Sequence, residues 1–295
     1  VSALPQAAPP AVRTRRLLLR SLGVAVEDLH CRAHVEPLGP EERSASHGIV
    51  FVRKGVFRRT HEGRTLVADA NHVLFFTAGQ AYRYAHPIPG GDECTILALE
   101  APRALELVAH HAPRHAERPE SPFAIAYGLS SPRAAGLQYQ VLRLLDRGAA
   151  GLAAEDAVAE LADEAVAATY RPTRAEDVSG PALRRQRELV EAATLAVNAR
   201  VGAPPSLGEL AAELGCSPFH LSRTFHRVSG LSLRRYAGRL RAREAAHRLA
   251  AGARDLTGLA LDLGYADHSH FTNAFRQEWG VPPSRFRAGA VPRSF

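Results

Sequence analysis

The feature that most constrains this 295-residue chain is a pattern written twice near its C-terminal end. The stretch Leu207-Gly-Glu-Leu-Ala-Ala-Glu-Leu-Gly215 is echoed 49 residues later by Leu256-Thr-Gly-Leu-Ala-Leu-Asp-Leu-Gly264. Past the glycine the echo resumes at an offset of 50, pairing Leu221 with Phe271, Phe225 with Phe275 and Gly230 with Gly280. In each copy the leucines recur at helical spacing and bury one face, and the glycine ends the helix where a positive φ is cheap. Ser217 is placed to cap the next helix and Pro218 suits its first turn, with Leu221, Phe225 and Val228 packing back. In the second copy Asp255 caps the front helix, Asp267 caps the rear one, and Phe271, Ala274 and Phe275 form the inward stripe. Each copy reads as a helix-turn-helix.

The second helix of each copy keeps a polar or mixed face free. The first presents Phe219, Ser222, Arg223, His226 and Arg227; the second presents His268, Ser269, Thr272, Asn273 and Arg276. Arg matches the guanine edge and Asn the adenine edge, while Ser and Thr serve a base or a phosphate, so both faces suit major-groove reading. Between the copies, Tyr236 to Ala250 reads as one helix that holds the two reading helices about one DNA turn apart, with Arg239 expected on phosphate. The alternative from the same residues is an all-helical domain whose arginines serve solubility or whose faces bind protein.

Charge supports nucleic acid. Residues 1–180 hold 20 basic and 21 acidic side chains, whereas residues 181–295 hold 17 and 9, so the net charge of +7 is confined to the segment carrying the repeat. That is the footprint expected where one segment meets a polyanion.

At these residues the chain resembles the arabinose-regulator, or AraC/XylS, family of bacterial transcription factors. The resemblance runs from about Leu189 to Ala288 through Ser217-Pro-Phe-His-Leu-Ser-Arg223, Leu263-Gly-Tyr265, Ser269-His-Phe271 and the closing Gly280-Val-Pro-Pro283 followed by Phe286-Arg287. It implies sequence-specific DNA binding near promoters, usually activation through contact with RNA polymerase and sometimes repression; the scattered cysteines and the lack of an export signal lead to the expectation of a cytoplasmic protein. Phe219, Ser222, Arg223, His268, Ser269, Thr272 and Asn273 align with the family's base-contacting positions. Relatives often carry Arg near Asn273, so the second half-site preference does not carry over.

Upstream, short β-type runs at Gly48–Val52, Leu66–Val67, Val73–Thr77, Tyr82–Tyr84 and Thr95–Leu99 are separated by glycine-containing turns, which predicts a small sandwich or barrel. The passage from Asp69 to His86 resembles the cupin-like barrel that many such regulators use to sense an effector. The first cupin metal signature is missing, which disfavours a catalytic metal cupin. The expected fold is therefore α+β and multidomain: a cupin-like β-barrel over 13–120, accessory helices and a hinge over 121–180, and an all-α double helix-turn-helix domain over 181–290. Ala134–Arg147 and Ala153–Ala168 read as the accessory helices, with Leu137, Val141, Leu144 and Leu145 on a stripe that either pairs two copies as a homodimer or closes over the barrel. Residues 1–12 read as loose, Ala112–Pro122 as irregular and Thr169–Pro181 as the hinge.

His34, His47, Tyr82, Tyr84 and His86 are the candidate effector-pocket residues; Tyr82, Tyr84 and His86 share a strand face by period-two spacing. His34, His47, His61, His72, His86 and Cys94 include soft ligands that a barrel can bring together, but their spacing assigns no metal. Cys31, Cys94 and Cys216 lie far apart in sequence and suggest neither a disulfide framework nor a zinc site. No catalytic constellation or cofactor fingerprint is present, so an enzyme, such as a cupin fused to a DNA-targeting module, is the second reading, and a constitutive scaffold the third. No secretory signal or membrane span is expected.

Overall fold

The computed structural model describes residues 12–32, 38–113, 118, 120–148, 151–170 and 181–290. The readings of residues 1–12 as loose and of Thr169–Pro181 as a hinge fall almost wholly outside the described residues, and so does His34.

The N-terminal half is an antiparallel sheet built from β1 (Val12–Ser21), β2 (Val24–Arg32), β3 (Glu42–Arg43), β4 (His47–His61), β5 (Arg64–Asp69), β6 (His72–Phe76), β7 (Ala81–Ala85), β8 (Asp92–Leu99) and β9 (Tyr127–Leu129). Its main path runs β1-β2-β8-β4-β6-β9, with β5 and β7 on the far half of β4 and β3 on β7. Among the described residues the path stays open, with no pairing between β1 and β9. The length of β4 makes this possible: Gly48–Phe51 lies between β6 and β8, whereas Val56–His61 turns away to pair with β5. Gly55 sits at that turn with φ +80°, and a Cβ there would stand 2.0 Å from the Gly91 carbonyl oxygen, so no other residue fits without backbone movement.

Alternation along β4 gives the sheet two apolar faces. Ile49 and Phe51 join Val26, Val73, Phe75 and Leu97 under the helices α1 (Ala101–His111), α2 (Pro132–Asp146) and α3 (Leu152–Tyr170). Val50 and Val52 face the other way with Phe57, Ala68, Leu74 and Cys94. The predicted stripe on α2 lies against the first face, with Leu137 and Val141 buried and Leu144 and Leu145 partly so. That stripe is spent within the chain, which answers the alternative in favour of closure over the sheet. Several elements lie outside the sequence reading, among them β1, whose Arg-rich run with three leucines does not alternate, β2, β3, β9, α4 (Pro181–Ala199), and α1, a short helix with Ala104, Leu107 and Val108 as its buried side.

The C-terminal half consists of α4 (Pro181–Ala199), α5 (Leu207–Glu213), α6 (Pro218–Ser229), α7 (Leu233–Ala250), α8 (Leu256–Asp262), α9 (His268–Trp279) and α10 (Pro283–Arg287). The first helix-turn-helix closes with α4 around Val190, Ala193, Val197, Leu210, Leu221, Phe225 and Tyr236. The second closes around Leu259, Leu263, Phe271, Phe275, Trp279 and Phe286, and its core takes in Ala135 and Tyr139 of α2. Thus α2 has two working faces, one for the sheet and one for the second helix-turn-helix. Burying a large apolar side chain contributes about 1.5–3 kcal/mol, so Tyr139 and Trp279, both almost fully buried, are substantial ties between the halves.

Candidate nucleic-acid interface

Both helix-turn-helix units are built by local chemistry that the repeat announced. The Ser206 hydroxyl accepts from the Glu209 amide at 3.2 Å while the Glu209 carboxylate accepts from the Ser206 amide at 2.8 Å, a reciprocal cap on α5. Ser217 caps α6 from the His220 amide, and Asp267 caps α9 from the His270 amide at 2.7 Å. Asp255 caps α8 by accepting from the Thr257 and Gly258 amides. Gly230 and Gly280 end α6 and α9 in the left-handed conformation. Between α8 and α9, Gly264 has φ +71° and packs so close to Gly202 that a Cβ would lie 1.9 Å from its carbonyl oxygen.

These caps fix which faces α6 and α9 show. On α6, Leu221, Thr224 and Phe225 are buried while Arg223, His226 and Arg227 are exposed, Ser222 is half-buried and Phe219 is 71 % exposed. The Arg223 guanidinium lies 5.4 Å from the centre of the Phe219 ring, so the two make one presented pair at the start of the helix. On α9, Phe271, Phe275 and Trp279 are buried and His268, Ser269, Asn273 and Arg276 are exposed. Thr272 differs from the rest of its set: it is half-buried and its Oγ1 is enclosed without a partner, so the hydroxyl is withdrawn from the presented face. Arg234 and Arg235, exposed at the start of α7 beside the end of α6, add cations that the sequence reading left out although the Arg-Arg pair was there to see.

Arg239 requires a correction. It was expected on phosphate, but it is buried, with Nε 3.0 Å from Glu278 of α9 and Nη2 donating to the Ser130 carbonyl at 2.6 Å. Arg243, one turn on, donates to the same carbonyl at 2.7 Å; burial and then the neighbouring Arg239 charge pull its pKa down to about 10, which leaves it cationic at neutral pH. The linking helix therefore turns these two arginines inward, where they join α7, α9 and the segment between β9 and α2.

A second buried contact lies nearby. The fully buried Asp69 carboxylate accepts from Tyr236 Oη at 2.6 Å, Asn198 Nδ2 at 2.7 Å and the Asn71 amide at 2.9 Å, and His72 Nδ1 stands 3.0 Å away. Burial alone would raise its pKa, but the bonds from His72, Asn198 and Tyr236 outweigh that and hold it below the ordinary value. Burial, then the Asp69 charge, pushes Tyr236 well above its usual pKa. Asn71 Nδ2 also donates to the Tyr236 carbonyl at 3.3 Å. The sheet thus grips α7, the helix that separates the two reading units.

The candidate effector residues divide between two faces of the sheet. His47 is buried edge-on to Phe123 within the core under the helices, and burial lowers its pKa. Tyr84 and His86 lie on the other side, with ring centres 5.5 Å apart and Phe57 beside His86. Tyr82 donates to Glu42 at 3.0 Å and Arg13 lies over the Tyr84 ring. The structure brings Tyr82, Tyr84 and His86 together as the period-two spacing implied and leaves His47 out.

With this geometry in view, the helix-turn-helix domain family matches residues 210–289. RhaS of Escherichia fergusonii, an HTH-type transcriptional activator, is 39% identical over 71 residues, covering 23% of this chain and 26% of that protein. Residues 210–289 are a helix-turn-helix domain. AdaA of Bacillus subtilis, described as a bifunctional transcriptional activator and DNA repair enzyme, is 31% identical over 71 residues, or 24% of this chain and 34% of AdaA. The chain therefore matches about a quarter to a third of the length of these relatives. A Chromobacterium violaceum transcriptional regulator with an AraC-type domain aligns at 23% identity and TM-score 0.34, over 37% of this chain and 99% of that one. ToxT of Vibrio cholerae aligns at 10% identity and TM-score 0.34, over 96% and 99%. Both structural likenesses are too distant to carry an inference. The helix-turn-helix match runs from within α5 through α10, the part that presents the exposed faces of α6 and α9; no helix among the described residues is long and apolar enough to cross a membrane.

Proposed function

We propose that the chain is a sequence-specific DNA-binding transcription regulator, an activator that works through contact with RNA polymerase. The observation that carries this reading is the pair of capped helices α6 and α9, each with an aromatic core side and an exposed side of Arg, His, Ser or Asn. Phe219 is notable here: a large apolar ring standing in water at the start of α6 has a use if it meets a thymine methyl, and Arg223 beside it suits guanine. Arg227, Arg234 and Arg235 suit phosphate, which positions a protein without specifying sequence.

The N-terminal sheet is, in this reading, a cupin-like sensory domain whose effector state reaches α7 through Asp69, Ser130 and Tyr139. Pairing of two copies uses a surface other than the α2 stripe, which is occupied. The test is selection of binding sites from random labelled duplexes with the full chain. Enrichment of a discontinuous motif with two elements about one helical turn apart supports the reading. Binding that depends on salt alone, with no enriched sequence, would refute it.

A further inference from the structure

On the sheet face away from the helices, three potential metal ligands that are distant in sequence meet in one buried place. Cys31 of β2 lies directly opposite Asp92 of β8 in the strand register, so both side chains stand on the same face. His86, one residue past β7, reaches the same point: its Nε2 contacts Asp92, and one donor atom from each of Cys31, His86 and Asp92 lies within 4.8 Å of the other two. Cys94, two residues along β8 and on the same face, places its Sγ 3.0 Å from the second Asp92 oxygen. All four are buried, none more than 6 % exposed.

We infer that Cys31, His86, Asp92 and Cys94 form a binding site for a borderline-soft divalent cation of the zinc class. Two sulfurs, an imidazole nitrogen and a carboxylate oxygen are a donor set suited to tetrahedral Zn2+. Ligands at about 2.0–2.3 Å from a common ion are separated from one another by roughly 3.3–3.8 Å, so Cys31, His86 and Asp92, within 4.8 Å of one another, need a modest contraction, and Cys94, outside that trio but 3.0 Å from Asp92, must turn inward to complete the set. Two further observations favour an ion over ordinary packing. The surrounding face is apolar, formed by Val52, Phe57, Ala68 and Leu74, and four such groups are costly in that setting unless all are used. Their polar partners are one another, His86 and Cys94 both contacting Asp92, so that one ion at their meeting point would serve the whole set. Linear spacing concealed the site because β2, the turn after β7 and β8 each contribute to it, and only the β2–β8 register brings Cys31 to Asp92.

The site is independent of DNA binding and is tested without DNA. The reduced, chelator-treated full chain is titrated with Co2+ alone and followed by its absorption spectrum. Binding of one equivalent with a sulfur-to-cobalt charge-transfer band and tetrahedral visible bands, displaced by Zn2+, is expected. Cys216→Ser should leave the band intact, whereas either Cys31→Ser or Cys94→Ser should weaken binding at least tenfold, and the double variant should remove the band. Absence of the band in the unmodified chain, or its survival in a folded double variant, overturns the inference. If the cysteine variants do not fold, thiol alkylation of the unmodified folded chain decides instead: Zn2+ should slow labelling of Cys31 and Cys94 at least tenfold and leave Cys216 unaffected, and equal rates with and without Zn2+ overturn it.

Discussion

Removing the hydroxyl of Tyr236 tests whether the sheet and the linking helix are held together by specific chemistry or only by shape. Tyr236→Phe keeps the ring, and with it the edge-on contact to Phe225 at 5.3 Å and the tilted contact to His72 at 6.2 Å. It deletes the 2.6 Å bond to Asp69, leaving that carboxylate oxygen with Asn198 alone among its side-chain donors. A hydrogen bond to a charged group contributes about 1.5–3 kcal/mol, so a loss near 2 kcal/mol is expected in urea unfolding of the full chain. Packing changes are separated by a cycle with Asp69→Ala: the coupling between the two positions should be about 1.5–3 kcal/mol, since each substitution removes the same bond. A coupling below about 0.5 kcal/mol would show that the bond does not tie the halves and would refute the role given to Asp69. The depressed pKa of Asp69 adds a pH signature. Its contribution is present above the unfolded value near 3.9 and disappears as pH falls through the lower folded value, so an Asp69→Asn variant and the unmodified chain should converge in stability there.

Arg223→Ala should weaken specific DNA binding by about 1–3 kcal/mol and relax preference at one position of the selected site; uniform weakening across all sequences would reassign it to phosphate. Arg239→Ala should cost on the order of 3 kcal/mol of stability, because it removes the closer of the two cations on Glu278 and leaves Arg243 at 3.7 Å, while the salt slope of DNA binding stays unchanged; a slope reduced by about one would restore the phosphate role. Burial raises Glu191 to about 7, so its protonated form is favoured on folding and stability is lost as pH rises from about 4.3 through 7. Glu191→Gln should flatten that fall by about 1 kcal/mol after allowance for solvent screening, and an unchanged profile in unfolding curves would count against it. Gly264→Ala should destabilise the second helix-turn-helix by more than the roughly 1 kcal/mol of conformational preference alone, because its Cβ would meet the Gly202 carbonyl; a thermal midpoint like that of the unmodified chain would contradict the close approach.

The C-terminal half was legible because its determinants are local. Caps such as Ser217 and Asp267, the closing glycines and the Leu221/Phe225 and Phe271/Phe275 stripes all act within one turn of their own position. Arg239 was misplaced for the opposite reason: its partners Glu278 and Ser130 lie 39 and 109 residues away in sequence, and without them a run of arginines on a helix reads as a solvated face. His47 was grouped with Tyr84 and His86 because the spacing within one strand says nothing about which sheet face another strand turns toward them. The Cys31–Asp92 meeting is hidden likewise, since it depends on strand pairing. The extent of the sheet was under-read at β1 and β2, where exposed arginines and two-sided packing blur the alternation.

The double-sided helix α2 sets a condition on how this protein can change over generations. Its turns are shared, Leu137 and Val141 pointing into the sheet layer and Ala135 and Tyr139 into the core around Trp279. Deleting one residue from its middle would rotate everything downstream by about 100° and misalign both seams together. Sequence drift there is therefore confined to swaps of similar volume, and the N-terminal half cannot be exchanged for another by simple recombination unless the newcomer brings a helix with the same two imprints.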